Sequence, residues 1–132
     1  MQQVTVSAKY LGGEYRIPAL LGPERLVMGG RDAVLRIETG AVELSVKDSY
    51  NRGYDTIRYT KDDLLCSTRV ANLWQAFGID LGKQPVSLKV RPGEQGGAID
   101  VSLVFPNKDD AFAFNDAMRE AGLPTFRVSL GG

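Results

Sequence analysis

The residues able to do chemistry in this chain of 132 are few, and their spacing argues against a reaction. There is no histidine, which removes the usual general base, the Ser–His triads and most zinc sites together. Cys66 is the sole cysteine. Without an imidazole to draw off its proton it reads as a small buried apolar side chain. It excludes an internal disulfide and suits a reducing compartment. The carboxylate pairs Asp62-Asp63 and Asp109-Asp110 sit on adjacent residues whose side chains point different ways, so neither has the spacing of an acid–base pair. The first reads as the end of a turn and the second as the charged start of a helix. Gly12-Gly13, Gly29-Gly30 and Gly96-Gly97 each lie between strand-like runs. None opens a helix with phosphate-binding spacing, so they read as turns. The expectation is a protein with no catalytic residue, no cofactor and no metal.

Bulk properties point the same way. Sixteen basic and sixteen acidic residues cancel, so no long-range attraction to nucleic acid is encoded and no nucleic-acid partner is expected. Hydrophobic content of 43% and charged content of 24% are ordinary for a globular domain. The apolar runs are too short to cross a bilayer, and the first residues, MQQVTVSAKY, hold no signal-peptide core. A single cytoplasmic domain over residues 1–132 is expected, with its core in 3–122 and a tail in 123–132.

The elements that would position any site are mostly strands. Val4, Val6, Ala8 and Tyr10 alternate with polar residues, the period of a half-buried strand. Leu11-Gly12-Gly13 breaks that period, and an irregular connection follows. Short strands are expected at Arg25–Met28 and Ala33–Ile37, then an alternating one through Val42, Leu44 and Val46. Asp48–Asp55 reads as a loop, and Thr56–Tyr59 as the next strand. Val70, Leu73, Trp74 and Phe77 then change the period to that of a short helix, capped by Ser67 and Gly78. Val86–Val90 and Ile99–Phe105 make a hairpin. Asn107–Gly122 carries both ends of a helix: an Asn N-cap, acids in the first turn, and Gly122 with Pro124 to stop it. Ala111, Phe114, Ala117, Met118 and Ala121 share its buried face. Phe126, Val128 and Leu130 alternate once more.

Lys9-Tyr10-Leu11-Gly12-Gly13, a proline soon after, and Arg25-Leu26-Val27-Met28 resemble the opening of the bacterial pleckstrin-homology-like domains. The stretch YDTIRYTKDDL is similar to the strand and turn in the middle of such domains. The resemblance implies a mainly β, α+β fold: an antiparallel barrel of two near-orthogonal sheets closed by a C-terminal helix. The helix around Trp74 would be an insertion, and the strand-like tail an extension. It also implies a module that binds, with self-association through strand edges, and places headgroup binding by the related eukaryotic domains at the first connection, beside Lys9, Arg16 and Arg25.

These readings give three expectations for function. The first is a non-enzymatic interaction module that contacts a protein partner or a second copy of itself, through a sheet edge or through Phe112. Phe112 stands about opposite Phe114 on the helix wheel. Phe126, from the tail, either covers Phe112 or adds to its surface, and Trp74 reads first as core, with a groove beside it as the functional alternative. The second is a peripheral lipid-headgroup module using Lys9, Arg16 and Arg25. Against it, the basic residues are sparse, Glu14 and Glu24 lie among them, and the connection reads more simply as a solvated loop. The third is a ubiquitin-like modifier or carrier acting through Gly131-Gly132, although the best helix lies late in the chain and a flexible terminus explains the glycines.

Overall fold

A computed structural model describes residues 2–17, 30–47, 53–65, 83–91 and 97–125. Arg25, the Trp74 helix, Phe126 and the terminal glycines lie outside the described residues. Six strands come first: β1 Val4–Gly12, β2 Arg31–Glu38, β3 Ala41–Lys47, β4 Tyr54–Thr60, β5 Gln84–Val90 and β6 Ile99–Phe105. One helix, α1 Lys108–Glu120, follows them. All strand pairings are antiparallel, in the order β4-β3-β2-β1-β6-β5. The mainly β architecture with a C-terminal helix therefore matches the expectation.

The strands form one continuous sheet, where the sequence resemblance implies two, and it is not closed. Past the end of β4, Leu64 forms an isolated bridge with Val90 of β5. Leu65 N–H donates to Lys89 O at 2.9 Å and Arg91 N–H to Asp63 O at 2.8 Å. This corner forms because Asp63 ends β4 with a tight turn: its carboxylate accepts from Thr60 N–H at 2.9 Å and from the Thr60 hydroxyl at 3.0 Å. The expected turn role of Asp63 is thus observed.

Alternation places Leu35, Ile37, Leu44, Val46, Leu103 and Phe105 in the core, each fully buried. The helix lies over this face. Asn107 caps it, its side-chain oxygen accepting from Asp110 N–H at 2.8 Å. At the other end Gly122 N–H donates to Arg119 O and Leu123 N–H to Met118 O, at 3.1 and 2.9 Å. That double closure needs a left-handed residue, and Gly122 supplies it at φ +76. The five expected apolar positions are all buried, and Asn115 joins them. The Phe114 ring stands 5.2 Å from that of Phe105. Full burial of one such side chain contributes about 2–3 kcal/mol. Gly40, in the β2–β3 turn, donates its N–H to Ala121 O at 2.9 Å, tying the helix end to the sheet. Among the described residues no helix is long and apolar enough to cross a membrane.

Candidate interaction site

Among the described residues the outer strand β4 pairs on one side only, with β3. Its chain direction and hydrogen bonds decide what its other side offers. Thr60 N–H donates to the Asp63 carboxylate, and Thr60 O accepts from Asp63 N–H at 3.0 Å. Both main-chain groups of Thr60 therefore face away from β3. Lys61 N–H donates to Gly40 O at 3.2 Å, which fits the same register. The backbone of a strand repeats every two residues, so Arg58, Thr56 and Tyr54 also turn their N–H and C=O groups outward. These groups have no main-chain partner among the described residues outside the sheet ladders.

The β4 side chains divide between two faces. Tyr54, Thr56, Arg58 and Thr60 are exposed, while Asp55 and Ile57 are half-buried and Tyr59 is buried. The outward polar groups are already engaged by the sheet. The Thr56 and Ser45 hydroxyls stand 2.8 Å apart, and Arg58 binds Glu38 and Glu43. Tyr54 is 54% exposed. Asp55 differs from all of these. It shares a cross-strand row with Val46, Ala33 and Ala8, all buried. Its Oδ2 is buried with no hydrogen-bond partner, alone in this among the described residues. The sequence reading assigned Tyr54 and Asp55 to a loop; both belong to β4, paired with Lys47 and Val46.

The described start of the first connection, residues 12–17, is more ordered than a solvated loop: Gly12 extends β1 through a bulge against β6, and Gly13 turns the chain inward at φ +109. A Cβ at Gly13 would lie 1.9 Å from Asp100 O, so no side chain fits. The turn brings Glu14 under the curled sheet, where it is 2% exposed. Its carboxylate accepts from Arg16 Nε at 2.8 Å and Nη2 at 3.0 Å, and from the Tyr59 hydroxyl. Glu14 N–H donates to the Tyr10 hydroxyl at 3.0 Å. The Arg16 guanidinium lies 5.7 Å from the centre of the Tyr59 ring and 5.9 Å from that of Tyr15. Burial alone would raise the Glu14 pKa, but the hydrogen bonds from Arg16 and Tyr59 outweigh it and hold the carboxyl below its ordinary range. Burial, together with the Glu14 charge, pushes the Tyr59 phenol well up. The groups are therefore a carboxylate, a guanidinium and a neutral phenol. Such an arrangement ties the turn after β1 to β4.

The expected site residues end in different places. Lys9 binds Asp32 on the exposed face of β1 and β2, and Arg16 binds Glu14. Each cation of the headgroup reading that the structure describes thus already holds a carboxylate. Phe112 is half-buried on α1. Among the described residues the large exposed apolar side chains are instead Leu11, Tyr15 and Tyr54. A recess of about 360 Å³ opens beside Lys9, Asp32, Tyr54, Lys83 and Val104, at the small end of ligand pockets. Its charged lining is the Lys9–Asp32 ion pair and Lys83.

Sequence reasoning missed Glu14 and Asp55 for different reasons. A carboxylate between Gly13 and Tyr15 carried a signal, since a glycine pair can drive the next residue inward. Asp55 carried another: it continues the inward period of Ile57 and Tyr59 back by two residues. Neither a scan against protein-family models nor a search of curated proteins returns a match to this chain.

Proposed function

We propose that this chain is a pleckstrin-homology-like domain acting as a non-enzymatic interaction module, and that it binds by accepting a partner's strand along β4. The observation that carries this reading is the row of outward main-chain groups on Tyr54, Thr56 and Arg58. An open edge is a template for another chain, because its donors and acceptors repeat at the spacing of an extended peptide. The engagement of Lys9 and Arg16 by Asp32 and Glu14 favours strand addition over headgroup binding. The pairing of β1 with both β2 and β6, and the helix directly after the last strand, support the family resemblance.

The test is a display library of short extended peptides, selected against wild type and against Thr56→Pro. Proline at Thr56 removes an outward N–H and leaves the β3 ladder whole, which edge strands tolerate. Enrichment on wild type that is lost on Thr56→Pro supports the reading. No enrichment, or enrichment indifferent to the substitution, overturns it. Light scattering over a concentration series covers self-assembly, where a dimer lost in Thr56→Pro would make the partner strand a second β4.

A further inference from the structure

We infer that Asp55 selects the partner of the β4 edge, which is an extended segment carrying lysine or arginine at the position beside Asp55. This inference rests on the strand-addition reading and adds the chemistry of what is recognised. Along β4, apart from the solvent-exposed Tyr54, the other polar side chains have partners within the molecule: Thr56 with Ser45, Arg58 with Glu38 and Glu43, Tyr59 with Glu14, Thr60 with Asp63. Asp55 is the exception, with Oδ2 buried and unbonded. A buried acceptor left without a donor is unfavourable, more so when charged.

The sheet supplies Asp55 with no donor from within its row, since Val46, Ala33 and Ala8 follow it across the strands. Among the described residues the one direction left along that row is outward, past the β4 edge. A strand added there places a side chain on the same face about 5 Å from Asp55. Further along, the added strand meets the half-buried Ile57 and then Tyr59, which suit apolar residues at alternate positions. An antiparallel partner therefore reads apolar, polar, apolar, polar, basic. A basic residue satisfies the free oxygen with a charge-assisted hydrogen bond, which is about twice as strong as a neutral one.

The experiment uses fluorescein-labelled peptides in polarisation titrations against the full chain. The lysine probe is Ser-Val-Thr-Val-Thr-Lys-Thr; two others replace its lysine with glutamine or glutamate. The lysine peptide is expected to bind about tenfold more tightly than the glutamine one, a bond charged on both sides against one charged on the carboxylate alone, with the glutamate peptide weakest. In Asp55→Asn that preference is expected to fall to about twofold or less, and in Thr56→Pro all binding is expected to be lost. Equal binding of the three peptides, abolished by Thr56→Pro, would overturn the role of Asp55 and leave strand addition standing. Binding by none of them, or binding indifferent to Thr56→Pro, would overturn both. Because the comparison among peptides is made on wild type, it does not depend on how well Asp55→Asn folds.

Discussion

The Tyr59 hydroxyl donates to the carboxylate of Glu14, 45 residues earlier in the chain. Tyr59 belongs to the outermost strand, β4, and Glu14 follows the end of β1, three places away in the sheet. The contact exists only because the sheet curls far enough to bring its edge over the chain leaving β1. A six-stranded open sheet thereby gains a cross-link through its interior, and the β4 edge is held in place by it.

That cross-link should make stability depend on acid. Glu14 titrates below its ordinary range when folded, and an unfolded glutamate titrates near pH ~4.3. Its contribution is then complete above the unfolded value and is lost as pH falls through the folded one. Glu14→Gln should destabilise the protein by roughly 2–3 kcal/mol at neutral pH, less than a fully buried pair because Arg16 retains contact with water. Urea titrations from pH ~7 down to pH ~2.5 should show wild type and variant converging below the unfolded value. Parallel curves across that range would assign the acid sensitivity to other carboxylates.

Tyr59→Phe tests the same contact from the other side. The ring stays in the core and only the donor is removed, so the loss should be about 1–2 kcal/mol. A double-mutant cycle with Glu14→Gln should return a coupling of at least about 0.5 kcal/mol. Additive losses would mean that the hydroxyl and the carboxylate act independently.

Gly13→Ala should be among the most damaging single changes. The new Cβ would meet Asp100 O at 1.9 Å, on a backbone at φ +109. Either β1 separates from β6 or the turn that carries Glu14 reopens. A loss of at least about 3 kcal/mol is expected by urea unfolding. Gly40→Ala is the comparison, since its left-handed turn has open space around the missing Cβ, and about 1 kcal/mol should suffice there.

What could be read from the sequence was what neighbouring residues decide. Asn107, Asp109, Asp110 and Gly122 specify a helix within one short stretch, and each performs the expected role. The β5–β6 hairpin and the inward faces of β2 and β3 follow from alternation alone. Glu14 was misread because its second partner, Tyr59, is remote in the chain, and a carboxylate between an arginine and two glycines looks solvated until the sheet curls over it. The start of β4 was misread because Tyr54 and Asp55 adjoin a stretch rich in Asn, Gly and Asp, where turn chemistry outweighs period. The edge was invisible for a third reason: strand order is a property of the whole sheet and is written in no single strand.

The free oxygen of Asp55 leads to a prediction with the opposite sign from the others. Most substitutions on an inward row destabilise, yet Asp55 stands among Val46, Ala33 and Ala8 with an acceptor buried and unsatisfied. Asp55→Val removes that unsatisfied group and places a β-branched residue where β4 favours one. It should stabilise the isolated protein by about 1 kcal/mol, read as a rise in the urea midpoint at unchanged slope. The same variant should lose the preference for the lysine peptide. A residue that weakens the fold and strengthens recognition behaves as a functional position does, because the stability it forgoes alone is regained when the partner arrives. If Asp55→Val proves less stable than wild type, the carboxylate has a partner within the fold, and its position at the edge is structural.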